Sequence, residues 1–561
     1  MIRTTVLAAV LGAAFPFAAL AQTADDLKND EKNTSDVLSY GMGQAQHRYS
    51  PLTQVNRQNV KRLVPAWSYS MGDNRGMEAQ PLIKDGVIFI TDHQKTVAVD
   101  ALTGKEIWKS LIEYPPETTR VVCCGIVNRG AALFDGKLYR TTLDAHVIAL
   151  DQKTGKELWR TKSEDPKNGY SMTVAPLVAN GVVIAGVSGA EYGVRGYLEG
   201  FDAQSGKSLW RTYTIPARGE KGSETWPADK ESWKSGGGST WVTGSYDPEL
   251  DLVFWGVGNP APWNPVNRKG DDLYTNSILA VRPKTGEMVW YYQMTPNDPY
   301  DYDGVNELIQ ADLTVGGTPR KVVMQANRNG FLYVVERSTG KLLAANPYVK
   351  VNWADRIDRE TSRPVWSEDT KRIVAEGGKA RIYPSVHGGK NWHPMSFNPT
   401  TGLLYINSFD WGMDYETLPP EQSTNFKHGE LWFGVKFPDV FDPEQRGYLR
   451  AVDPLTGQSK WQTPFKSPNI CGTLVTAGGL VFTGQLTGEF IAVDSETGKI
   501  LWQFQTPSGV TSQPITWEKD GKQYVTVGSG TGGVYALVSG DPNIRNVPPG
   551  GTLWTFKLFE D

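Results

Sequence analysis

The sequence predicts an all-β fold, a single β-propeller of eight blades. Three observations carry this prediction: a strand-turn-strand phrase that recurs along the chain, a composition rich in glycine and tryptophan, and the lack of any Pro/Ser linker dividing the 561 residues. Nineteen tryptophans and fifty-nine glycines suit short strands and tight turns better than helices.

The phrase runs apolar strand, Asp or a substitute, Thr-Gly or Ser-Gly, Lys or Glu, then an apolar pair ending in Trp. It reads VAVDALTGKEIW to Trp108, VIALDQKTGKELW to Trp159, EGFDAQSGKSLW to Trp210, LAVRPKTGEMVW to Trp290, LRAVDPLTGQSKW to Trp461 and IAVDSETGKILW to Trp502. A copy without Trp, YVVERSTGKLL, occupies 333–343. Each copy is two strands joined by a turn whose glycine can take positive φ, with the indole placed for burial. The first three of the phrase's tryptophans are 51 residues apart, a spacing of four-stranded blades that bury their faces against one another. With a degenerate copy at NPTTGLLYIN, 398–407, seven visible copies suggest eight blades. The longer gaps, Trp210 to Trp290 and Leu343 to Trp461, then hold insertions that form the working face.

Arg3 precedes an apolar run from Val6 to Leu20 that closes on Ala19-Leu20-Ala21, the pattern of a secretory leader over 1–21. Residues 22–561 are then one propeller domain exported to the periplasm. No later stretch approaches the roughly 18 apolar residues of a spanning helix, so no membrane span is expected. A formal charge of -4 with no basic block excludes nucleic acid as a partner. Only three cysteines occur and none sits in a CxxCH heme-attachment pattern, so electrons must leave to a separate protein.

Two of those cysteines, Cys123 and Cys124, are adjacent. A bridge between neighbours closes a strained eight-membered ring that oxidising conditions permit. The alternative is two free or separately paired thiols, and Cys471 alone cannot satisfy both. Within VVCCGIVNRG, 121–130, the pair resembles the CC-x3-NRG signature of the PQQ-dependent (quinoprotein) alcohol dehydrogenases, the methanol and ethanol dehydrogenase family. The strand-turn-Trp phrase likewise resembles that family's tryptophan-docking motif, and the resemblance runs from GQAQHRYSPL, 43–52, to GGTLWTFKL, 550–558.

This resemblance implies a vicinal disulfide against one face of the quinone and Trp241, in GGGSTW, against the other. The cofactor's carboxylate rim is implied to meet Arg129, Thr173 in TVAP, and Ser188, Gly189 and Ala190 in SGAEYGVRG, with Glu78 in EAQPL and Asn391 in KNWHP as further contacts. Glu191, Asn259 and Asp301 match the family's metal ligands, oxygen donors that select a hard cation. Two positions after the aspartate, where calcium members carry a small residue, stands Asp303, as in the lanthanide-dependent type; a third carboxylate favours a trivalent cation of calcium-like radius. Asp301 is further implied as the general base for the alcohol proton while hydride passes to PQQ, with Arg328 in ANRNGFLYV donating to the quinone oxygen. A soluble cytochrome c acceptor and a homodimeric state also follow from the resemblance. Two departures, Ile470-Cys471-Gly472 for WGG and Thr531 within SGTGG for SGWGG, remove large indoles and predict altered packing over the cofactor or a larger alcohol pocket. The competing readings are a calcium enzyme of the same family and a non-catalytic scaffold; the scaffold explains the repeats but not the cysteine pair or the carboxylates.

Overall fold

The computed structural model describes residues 21–72, 75–228, 231–423, 427–439, 446–533 and 540–560. All of the expected leader except Ala21 lies outside them. The described chain is all-β with two short α-helices, and its strands form ten sheets, eight of them with four or five strands. Each large sheet is mostly an antiparallel meander. In the first repeat it comprises Leu82–Lys84, Val87–Thr91, Lys95–Asp100 and Glu106–Leu111 in spatial order. The repeated phrase supplies the third and fourth strands. Its aspartate shapes the turn between them, since Asp100 Oδ1 accepts from Thr103 N at 2.8 Å and Thr103 Oγ1 at 2.7 Å. Asp151, Asp202, Asp453 and Asp494 accept from the Thr or Ser three residues on in the same way.

The phrase's Trp joins one sheet to the next. A Cβ on Gly155 would lie 2.3 Å from the Trp108 ring, so only glycine lets that indole lie flat on the following turn, and Trp108 Nε1 donates to Gln152 O at 3.1 Å. Trp67 to Ala101, Trp159 to Ala203, Trp210 to Pro283, Trp290 to Arg337 and Trp461 to Ser495 repeat the contact, and Trp502 donates to Leu63 in the sheet that carries Trp67. Inside six of these sheets the indole faces a small residue, Ala98, Ala149, Gly200, Ala280, Ala451 or Ala492, and Trp67 faces Thr555. In the copy without Trp the sizes are exchanged, Ala344 facing Val334. The missing indole N–H is replaced there by the Asn346 amide, which donates to Leu455 O at 2.7 Å. Replacing Trp108 with alanine is expected to destabilise the protein by roughly 3–5 kcal/mol, the cost of a large-to-small aromatic substitution, seen as a lower midpoint in thermal denaturation followed by circular dichroism.

The NPTTGLLYIN copy does not form a sheet of its own. Its strands Ser396–Asn398 and Leu403–Asp410 belong to the sheet that carries Trp461. The remaining large sheet is assembled from both ends of the chain: Leu63–Ser70 pairs with Thr552–Leu558, which continues through Lys522–Ser529 to Ile515–Lys519. The long gap before Trp461 holds insertions as expected, namely the helix Glu368–Glu376 and two small sheets, Ala354–Ile357 with Pro364–Trp366, and Lys379–Ile382 with Met413–Thr417 and Val435–Asp439. Among the described residues no helix is long and apolar enough to cross a membrane.

Candidate active site

The connections that lead into and out of the sheets bring the predicted residues to one cavity of about 330 Å³. Glu78, Cys123, Cys124, Arg129, Thr173, Ser188, Gly189, Glu191, Trp241, Asn259, Asp301, Asp303, Arg328 and Asn391 all line it. Ala190 does not: its side chain is buried at the start of the short turn Ala190–Tyr192 and does not line the cavity. Ile470 lines the cavity, whereas Thr531 does not. The Thr531 hydroxyl is taken up locally, accepting from Gly509 N at 2.6 Å.

Cys123 and Cys124 form a disulfide with Cα atoms 3.8 Å apart, and Cys471 is a buried free thiol. Cys124 has φ 70°, and Gly125 follows at φ 112° where a Cβ would approach Gly533 Cα to 2.8 Å. The bridge is therefore set in a turn that glycine makes possible, with Cys124 exposed.

Arg129 organises the polar end of the cavity. Its Nη2 lies 3.0 Å from Glu78 Oε2, its Nη1 donates to Thr173 Oγ1 at 2.7 Å, and Thr173 shares a 3.1 Å hydrogen bond with Ser188 Oγ. The guanidinium also lies over two indoles, 4.7 Å from the centre of Trp241 and 5.0 Å from that of Trp392.

At the other end two carboxylates, Asp301 and Asp303, meet the Arg328 cation, with Glu191 nearby. Arg328 Nη1 donates to Asp303 Oδ2 at 2.5 Å and Nη2 to Asp301 Oδ2 at 2.9 Å; Nη2 also donates to Val386 O. Asp303 accepts further bonds from Asn259 N at 2.9 Å and Trp241 Nε1 at 3.2 Å. Asn259 Nδ2 donates to Glu191 Oε1 at 3.0 Å. Gly258 makes room for the Asp303 carboxylate, since a Cβ there would lie 2.4 Å from Asp303 Oδ1. Burial pushes Asp301 well above the usual carboxylate range; Arg328 opposes the shift, while Asp303 and Glu191 add to it. Burial likewise raises Asp303, and burial with the nearby Asp303 charge raises Glu191. His387, absent from the predicted set, also lines the cavity and stacks on Trp411 at 4.7 Å. Its burial, with help from the Arg328 charge, lowers its pKa to about 3, so it is neutral.

Three ionised carboxylates beside one guanidinium leave two negative charges uncompensated in a buried setting, which a protein tolerates only with a bound cation or by protonation. Among the described residues no three His, Cys, Asp or Glu side chains converge as a ready-made cluster. A cation here would find oxygens on Glu191, Asn259, Asp301 and Asp303, the two aspartates already being held by Arg328. An all-oxygen donor set of this charge suits a hard cation of valence two or three. The rest of the cavity suits a planar anion: Nε of both Arg129 and Arg328 is buried without a hydrogen-bond acceptor among the described residues, and disulfide and indole surfaces supply flat apolar walls. Residues 38–365 and 443–525 match the family described as "PQQ: Glucose/ethanol/alcohol dehydrogenase, beta-propeller domain". The quinoprotein alcohol dehydrogenase PedH of Pseudomonas putida is 40% identical over 99% of this chain and 96% of its own length. The 1-butanol dehydrogenase (quinone) of Thauera butanivorans is 39% identical over 99% and 98%. Among solved structures, a europium-containing methanol dehydrogenase superposes with a TM-score of 0.89 at 37% identity, covering 95% of this chain and all of that one.

Proposed function

Because the chain belongs to the family of PQQ-dependent alcohol dehydrogenases, we propose that it oxidises alcohols to aldehydes at this cavity with PQQ and a lanthanide ion, after export to the periplasm. The observation that carries the reading is the pair Asp301 and Asp303, held by Arg328 beside Glu191 and Asn259. When bound, PQQ supplies the acceptor for the two electrons leaving the carbinol carbon, and the cation supplies Lewis acidity.

The chain's own residues do the rest. Glu191, Asn259, Asp301 and Asp303 would hold the cation, and beside it the three carboxylates would be ionised. Asp301, once ionised, accepts the alcohol's hydroxyl proton at Oδ1 or Oδ2. Arg328 orients both aspartates and offers a donor to negative charge developing on the oxidant. The Arg129, Thr173 and Ser188 group binds the cofactor's carboxylates, and Glu78 holds Arg129 in place. Trp241 and the Cys123–Cys124 bridge provide the two faces.

A lanthanide is favoured over calcium by Asp303, the third carboxylate, and by the likeness to the europium-containing structure. The eight large sheets, linked in series by seven indoles and at one junction by Asn346, are read as eight blades. None of its three cysteines sits in a CxxCH pattern, which supports delivery of electrons to a separate cytochrome c.

Where the alcohol's carbon body sits is marked by a cluster of apolar residues. Trp263, Phe409, Leu431, Phe433, Phe437 and Ile470 line the cavity, and Leu431 and Phe437 remain 47% and 49% exposed. Such side chains suit a substrate larger than methanol. The specificity constant is expected to rise two- to fourfold per added methylene from methanol to 1-butanol, the gain from burying each CH2. Steady-state kinetics across that series checks it, and a constant highest for methanol contradicts it. The proposed activity itself is tested by adding PQQ and lanthanum to metal-free protein and following alcohol-dependent reduction of an artificial acceptor.

A further inference from the structure

We propose that Asp298 is a positioning residue that fixes the working arrangement of Asp301 and Asp303, an inference that rests on the roles given to those carboxylates above. Asp301 has φ 60°, in the left-handed region. A residue other than glycine stays there only where the surroundings over-determine it. Asp298 supplies that determination. Its Oδ1 accepts from Tyr300 N at 2.9 Å and its Oδ2 from Tyr302 N at 2.6 Å, the two amides that flank Asp301. One carboxylate thus grips the backbone on both sides of Asp301, whose own carboxylate reaches Arg328. Asn276 completes the arrangement by donating Nδ2 to Asp298 Oδ2 at 2.9 Å.

Asp298 itself is 1% exposed and is not among the residues lining the cavity, so its effect passes through the loop. The loop is pinned at further points. Tyr302 Oη donates to Pro384 O at 2.6 Å, Asn327 Nδ2 to Asp303 O at 3.2 Å, and Arg268 to the Asp298 carbonyl. A buried carboxylate held chiefly by neutral donors is costly for folding compared with a neutral side chain. What it provides is acceptor positions on both oxygens. Asparagine cannot reproduce them, because its amide nitrogen would face either the Tyr300 amide or the donors from Tyr302 and Asn276.

The test compares the wild-type chain with Asp298→Asn, using europium luminescence to titrate the metal-free protein and steady-state kinetics on the form loaded with PQQ and lanthanum. Thermal denaturation establishes that the variant is folded. Asp298→Asn is expected to lower europium affinity at least tenfold and kcat at least tenfold, with KM changed less than threefold. Europium affinity and kcat both within twofold of wild type in the folded variant overturn the proposal. If Asp298→Asn does not fold, Asn276→Ala, which removes only the side-chain donor, provides the reading: a severalfold loss of europium affinity supports the proposal and unchanged affinity overturns it. A wild-type chain that neither binds europium nor oxidises any alcohol overturns the site assignment, and this inference with it. A wild type that does both, with an unaffected folded Asp298→Asn, overturns the inference alone.

Discussion

Asp301→Asn is expected to lower kcat by about 10²- to 10⁴-fold, the usual contribution of a positioned general base, and to do so even at saturating cation. Asparagine preserves the volume and an oxygen able to accept from Arg328 Nη2, which lies 2.9 Å from the native carboxylate. It cannot accept a proton at that oxygen. Because Asp301 is also placed among the cation's ligands, the variant will bind the ion more weakly. Titrating lanthanum to saturation separates the two effects: occupancy of the site recovers with concentration and kcat does not. Recovery of the wild-type kcat at high lanthanum would assign Asp301 to metal binding alone and transfer the base's role to another group.

Asp303→Ala is expected to reverse the cation preference. A trivalent ion carries one more unit of charge than calcium, and one carboxylate 4 Å from that extra unit is worth about 4 kcal/mol at an effective dielectric constant of 20, close to a thousandfold in relative affinity. Loss of Asp303 should therefore weaken lanthanum binding far more than calcium binding. Alanine also strands Arg328 Nη1, Trp241 Nε1 and the Asn259 amide, which now donate to Asp303. Asp303→Asn keeps an oxygen for some of those donors while removing the charge, so a preference altered in both variants identifies charge as the cause. Competition between lanthanum and calcium, measured as activity against the ratio of the two ions, reads the outcome.

The repeats were legible in the sequence because their physics is local. An aspartate caps a turn, a glycine accepts an indole, and the same residues, with few exchanges, recur in most of the large sheets. The eighth sheet was misplaced for a physical reason. NPTTGLLYIN carries the turn residues of the phrase, but its strands complete the sheet of Trp461, while the remaining sheet is made from the two ends of the chain. Pairing of residue 63 with residue 558 leaves no local pattern. Similarly, the exchange of Trp for Ala344 with Asn346 restoring the hydrogen bond becomes visible only across two sheets.

Within the site, the residues that bear charge or sulfur stood out from their motifs, and nearly all of them line one cavity. Thr531 was expected near the cofactor, but its hydroxyl is bound by Gly509 and Ser508 away from the lining. The apolar mouth was not legible. Leu431, Phe433 and Phe437 lie in an insertion without periodicity, and nothing in an isolated leucine or phenylalanine separates a pocket wall from a core. Asp298 was hidden for a related reason, since in the Asp-rich run DPYDYDG only the backbone hydrogen bonds distinguish the carboxylate that shapes the loop from those it presents.

The proposed role of these buried carboxylates is to hold a trivalent cation beside PQQ and thereby support alcohol oxidation. Its most direct test is reconstitution of metal-free protein with PQQ, titrated with either lanthanum or calcium, while alcohol-dependent acceptor reduction is followed. Activity that saturates at one lanthanum ion per chain, with calcium supporting little, is the predicted result; activity restored by calcium but not by lanthanum would contradict it.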